Sequence, residues 1–219
     1  MPYYPGINDS LGADPTGVVF GRSMTQLTYD MSRTIAKTWA PGDEVVVTRL
    51  DHDANIRPWV QAAEAVGATV RWVDFDAATG ELTADDVAAA LSDRTRLVAL
   101  TAASNLIGTR PDVPSIAGLV HEADALLYVD GVHATAHVPI DVPALGADLV
   151  IDNAGHGDLF SARIKDYNTV FAALVEKTPD DLAGLEFGAL VTENSKADLT
   201  ERLATGKAGP FEIHVTAKS

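Results

Sequence analysis

Four short apolar runs in this 219-residue chain each lead into a cluster of groups able to do chemistry. Residues 18–20 precede Gly21-Arg22-Ser23-Met24-Thr25, and residues 45–49 precede Asp51-His52-Asp53-Ala54-Asn55. Residues 97–101 precede Ser104-Asn105, and residues 126–129 precede Asp130-Gly131-Val132-His133. The first cluster, a glycine and two hydroxyls opening onto a helix, suits an anion, because free backbone N–H groups and the helix dipole attract negative charge. Taken alone, it reads better as ordinary helix capping by Ser23 or Thr25. The other three clusters supply carboxylates, imidazoles and amides, which move protons or orient polar ligands. Asp130, His133 and His137 also form D-x-x-H-x-x-x-H, and Asp51-His52-Asp53 adds oxygen and nitrogen donors. A metal-dependent hydrolase centre could be built from such parts, although this spacing follows a strand, where one-face alignment is not assured.

The elements that would position these groups are short and alternate in kind. Apolar, β-branched runs at 44–48, 69–73, 96–101, 125–129 and 148–151 read as strands bounded by turn signals such as Pro41-Gly42-Asp43 and Val66-Gly67-Ala68. Helices are expected at 25–39, 56–66, 83–91 and 113–123, the third with Thr83 as N-cap and Asp85 and Asp86 as electrostatic caps. Strands separated by such helices imply right-handed crossovers, hence an α/β fold: a mostly parallel sheet with helices on both faces. Ligands of such sheets gather beyond the carboxyl ends of the strands, where all four clusters lie. Beyond about residue 157 the texture changes, with helices expected near 165–177 and 196–204 and a strand-like run at 211–215 that includes His214. His121 is expected on the surface, and His156, between two glycines, in a loop.

Composition narrows the function further. Apolar residues at 47% and charged residues at 21% are the balance of a folded domain. There are 31 Asp and Glu against 16 Lys and Arg, a net charge of −15, which repels phosphate backbones and anionic lipid surfaces. The chain has no cysteine, which removes disulfides, thiolate metal sites and cysteine nucleophiles. No apolar run spans a bilayer, and MPYYPGINDS lacks the blocks of a signal peptide, so a cytoplasmic protein is expected, without nucleic-acid or membrane partners.

The stretches VVFGRSMTQLTYDMSRTIAKTWAPGDEVVVTRLDHDANIRPW, VALTAASNLIGT and LLYVDGVHATAHVPIDVPALGADLV follow a known pattern in order and spacing. They resemble the large domain of the class V aminotransferase and cysteine desulfurase-like family, pyridoxal-phosphate (PLP) enzymes of fold type I, in their isopenicillin N epimerase-like flavour. The resemblance covers roughly residues 14–155. It implies pyridoxal 5′-phosphate as cofactor, amino acids as substrates and a homodimer. Ser23-Met24-Thr25 matches the phosphate-binding turn, and His52 the histidine that stacks on the pyridine ring. Asn105 and His133 match side chains near the ring hydroxyl, and Asp130 the carboxylate that pairs with the protonated ring nitrogen.

Three departures accompany these matches. The family's Schiff-base lysine follows the strand at 148–151; here the stretch reads Asp152-Asn153-Ala154-Gly155-His156-Gly157, so His156 stands at the lysine position. No lysine occurs between Lys37 and Lys165. The family's small domain, with the arginine that grips the substrate carboxylate, has no counterpart in residues 158–219, and no cysteine is present to receive sulfur. The expectation is a truncated PLP-type large domain over 1–156 and a divergent segment over 157–219, with catalysis impaired. A non-catalytic phosphate-binding or interaction module and the metal hydrolase are the alternatives.

Overall fold

The computed structural model describes residues 12, 18–21, 23–153 and 158–162. Its centre is set by the two-residue alternation of extended chain. Strands β2 (Glu44–Thr48), β4 (Thr95–Thr101), β5 (Leu126–Asp130) and β6 (Leu149–Asn153) send successive side chains into two separate layers. Val46, Val98, Leu100, Leu127, Val129 and Val150 enter one layer, against Val87, Ile116 and Val120. Val45, Val47, Leu97, Ala99, Tyr128 and Leu149 enter the other, against Leu27, Met31, Ile35 and Trp59. A strand buried on both faces reads as a continuous apolar run, which is why these were legible.

Among the described residues the sheet order is β1-β7-β6-β5-β4-β2-β3, with β1 at Val18–Phe20, β3 at Thr69–Val73 and β7 at Asp158–Ala162. The five strands from β6 to β3 are parallel. β7 runs antiparallel to both β6 and β1, so the sheet continues past residue 156. The sheet with helices on both faces is therefore as expected. The elements anticipated at 165–177, 196–204 and 211–215 lie outside the described residues.

Each helix begins and ends for a local reason. α1 (Met24–Ile35) is capped by Ser23, buries Met24, Leu27, Met31 and Ile35 at helical spacing, and tightens into the turn Ala36–Thr38. α2 (Arg57–Val66) carries Pro58 in its first turn and stops at Gly67, whose left-handed φ of 75° lets its N–H return to the helix. α3 (Ala84–Ala88) has the reciprocal cap of Thr83 and Asp86, but ends earlier than the expected residue 91. Ala90 and Leu91 donate three residues back instead of four, the tighter winding that turns the chain toward β4. α4 (Val113–Glu122) starts on Asp112. Two short helices, α5 (Val132–Thr135) and α6 (Val142–Leu145), were not anticipated, being too brief to show a period. No helix among the described residues is long and apolar enough to cross a membrane.

Trp59 anchors the second of these layers. It is fully buried, 6.5 Å from Trp39 between ring centroids and edge-on to Tyr128 at 4.8 Å. Truncating this fully buried side chain is expected to leave a cavity in that layer. Trp59→Ala should destabilise the fold by about 3–5 kcal/mol, read as a lower midpoint in urea denaturation. A loss under about 1 kcal/mol would show that the site collapses freely and that the ring does not organise this layer.

Candidate functional site

Asp130, the last residue of β5, is a buried polar group at the strand ends. It is 6% exposed, and its Oδ1 accepts the Val132 N–H at 3.0 Å. Gly131 donates to the Ile151 carbonyl of β6 at 2.7 Å, and a Cβ on Gly131 would stand 3.2 Å from that same oxygen. The close approach favours glycine there and turns the chain into α5, which aims the Val132 N–H back at Asp130. Among the described residues Asp130 has no ion pair. Burial pushes its carboxyl up to about 6; the Val132 N–H and the field of His52 oppose this, and Asp152 adds to it.

A second buried carboxyl, Asp51, lies beyond β2 and is linked to Thr48 and to Asn55, whose Nδ2 donates at 2.6 Å. A third, Asp152 in β6, takes a hydrogen bond from Thr135 of α5. Residue type marked Asp51 only as one of several strand-end donors; its three- and four-residue links to Thr48 and Asn55 were the available signal.

The remaining candidates fall in different settings. His52 is exposed; its Nδ1 accepts the Ala54 N–H at 3.1 Å, and it caps the turn Asp53–Asn55. With Nδ1 accepting, neutral His52 carries its proton on Nε2. Ser23 spends its hydroxyl on the Gln26 N–H at 3.1 Å, while the Met24 side chain packs into the core beneath α1. Thr25 is exposed at the start of α1, the part of the first cluster turned outward. α1 packs against α2, the Asp53–Asn55 turn, β6 and β7, so its N-terminal turn belongs to the same body as the other clusters. Asn105 is exposed on a loop that closes on itself, Ser104 donating to the Thr109 carbonyl at 2.9 Å. His133 is half-buried, and its ring lies 4.7 Å from that of exposed His137. Among the described residues no group of three or more ligating side chains could hold a metal ion, which counts against the metal set of Asp130, His133 and His137. His156 and Lys165 lie outside the described residues. His121, expected simply at the surface, pairs with Asp148 at 3.1 Å, and Asp148 in turn accepts the Leu127 N–H. A groove of about 320 Å³ between α1 and α2 contains none of the strand-end residues.

This arrangement, with polar groups beyond the ends of β2, β4 and β5 and a capped helix opening nearby, matches a known sequence profile. The profile of "Aminotransferase class-V" covers residues 6–156. The chain belongs to the aminotransferase class-V family. All the strand-end clusters of this family member lie inside the matched range. Uncharacterized protein MT3887 of Mycobacterium tuberculosis is 38% identical over 148 residues, 68% of this chain and 37% of that protein. A cysteine desulfurase of Yersinia pseudotuberculosis is 35% identical over 135 residues, 61% of this chain and 33% of that one. The chain thus spans about a third of the length of these curated relatives. The apo cysteine desulfurase of Thermococcus onnurineus NA1 superposes with a TM-score of 0.69 at 22% identity, over 74% of this chain and 42% of that one, a likeness of fold.

The raised carboxyl of Asp130 has a consequence for stability. Its folded value, about 6, exceeds the ordinary 3.8, so its protonated form favours folding below about pH 4 and that benefit is lost as pH rises through 6. Asp130→Asn should therefore stabilise the fold relative to wild type by about 2–3 kcal/mol above pH 7, with little gain near pH 3.5. Thermal unfolding of both proteins across that range measures it. A gap that does not change with pH would mean that Asp130 titrates as an ordinary carboxyl.

Proposed function

We propose that this chain is the cofactor-binding part of a pyridoxal-phosphate protein of the class-V type, taking amino acids as its small-molecule ligands. The observation that carries the reading is Asp130: a buried carboxylate at the end of a central parallel strand, with no ion pair among the described residues. Such a group is completed by a cationic ligand, and a protonated pyridine nitrogen is one. Bound pyridoxal phosphate supplies an electron sink for carbanion chemistry at an amino acid.

The residues fit most of that group. Asp130 would hold the ring nitrogen protonated, and His52, its Nδ1 fixed by Ala54, would lie on the ring with its Nε2 proton outward. The N–H groups that open α1, with the Ser23–Thr25 turn, would take the phosphate, because the helix dipole favours an anion there. Asn105 and His133 would contact the ring hydroxyl. The fit fails at one place: the position that carries the cofactor-binding lysine in the family holds His156, and an imidazole cannot make that bond. The reading is therefore one of cofactor held without a covalent link and of impaired turnover. Family likeness further supports a homodimer, and the lack of any membrane-crossing helix among the described residues fits a cytoplasmic protein.

The test is an absorbance spectrum of the purified chain with pyridoxal phosphate, before and after borohydride reduction, followed by mass analysis. Binding with no added mass is the expected result. A band at 410–430 nm, roughly, that reduction locks onto Lys165 would show a covalent route instead. Asp130→Ala should weaken binding roughly tenfold or more, since a charge-assisted contact is lost. Asp53→Ala should not, because Asp53 is exposed and paired with Arg57. Equal effects of the two substitutions would refute the assignment of Asp130.

A further inference from the structure

Asn55 closes the second strand-end cluster and takes no part in the reading above, yet its polar groups converge on the turn that carries His52. Its backbone N–H donates to the His52 carbonyl at 2.8 Å. Its side-chain Nδ2 donates to Asp51 Oδ1 at 2.6 Å, and its Oδ1 accepts from Trp59 Nε1 at 3.3 Å. An indole N–H can only donate, so the atom facing Trp59 is the oxygen, and the amide nitrogen is left to Asp51. A side chain that both donates and accepts is needed to satisfy the two partners. Asp51, Asn55 and Trp59 are all buried, and Asp51 is held in turn by Thr48 of β2. His52 itself is exposed, its ring fixed by the Ala54 N–H on Nδ1. On the outer side of the turn Asp53 pairs with Arg57 at 2.8 Å, but both are exposed, and such a pair contributes little. The grip on the turn therefore comes from beneath, through Asn55.

We infer that Asn55 is a positioning residue for His52: by tying the turn to β2 through Asp51 and to the aromatic core through Trp59, it sets the orientation in which the imidazole meets a bound ring. The inference rests on the preceding reading for the identity of that ring, whereas the tethering of the turn stands apart from it. Being buried, Asn55 acts through His52 and does not meet the ligand. An imidazole held in place beforehand loses less freedom when a ligand arrives, and that difference appears as affinity. Removing the amide frees the turn and leaves the Trp59 N–H and one Asp51 oxygen without the partners shown here.

A double-variant cycle on the full chain, titrated with pyridoxal phosphate, tests this. Asn55→Leu and His52→Ala should each weaken binding roughly tenfold, and the double variant should bind within about twofold of His52→Ala alone. A residue that merely supports the fold lowers affinity whether or not His52 is present. Losses that multiply therefore overturn the inference, as does an Asn55→Leu affinity within about twofold of wild type. Amide hydrogen exchange without ligand gives the second readout. Asn55→Leu should speed exchange at Ala54 roughly tenfold or more and leave the β5 amides protected. Equal acceleration at both marks a global loss of stability and also overturns the inference. If Asn55→Leu fails to fold, Asn55→Ser, shorter but still polar, is read against the same two criteria. Failure of the wild-type chain to bind pyridoxal phosphate refutes the cofactor reading instead, and leaves the exchange measurement to judge Asn55.

Discussion

A carboxyl group held out of water is the constraint on which the strand-end region depends. Asp130 is nearly buried and has no ion pair among the described residues, so every neighbour bears on its charge. The Val132 N–H and the field of His52 favour the anion; burial and Asp152 disfavour it. The balance leaves a group that ionises readily near neutrality and still gains from a cation. The local backbone follows from the same need: Gly131 lets β5 turn against β6, and that turn presents the Val132 N–H.

The packing beneath makes this arrangement rigid. Within β5 the alternation that points Val129 into one layer points Tyr128 into the other. Tyr128 meets Thr28 of α1, their oxygens 3.0 Å apart, and presses on Trp59 of α2. Trp59 reaches Asn55, and Asn55 reaches Asp51. The aromatic layer and the polar edge are thus one structure, joined through a single indole N–H. Disturbing the core at Trp59 would disturb the turn that carries His52 as well.

Much of the fold was legible because strands buried on both faces and capped helices leave local marks. The run at 44–48 coincides with β2, the run at 69–73 with the more exposed edge strand β3 through its β-branched residues, and Thr83 caps α3 as its position suggested. α5, α6 and β7 left no such mark: the helices have 4 residues each, and β7 is a strand through its pairing with β6 and β1. Among the site candidates, the place of Asp130 at a strand end was legible, but its burial was not. Nor was the pairing of His121 with Asp148, 27 positions away, because nothing local records a partner brought by the fold.

The sequence by itself determined the α/β architecture, the set of strand-end clusters and the absence of cysteine. These are matters of residue type, short-range period and order, which a chain carries whether folded or not. Only the tertiary structure decided which carboxyls are dry, that Ser23 caps α1, and that Asp51 faces Asp130 across β4. Burial and charge coupling depend on distances between residues far apart in the chain. Asp51 and Asp130 are neighbours because β2 and β5 flank β4, a fact of sheet order that no local pattern encodes.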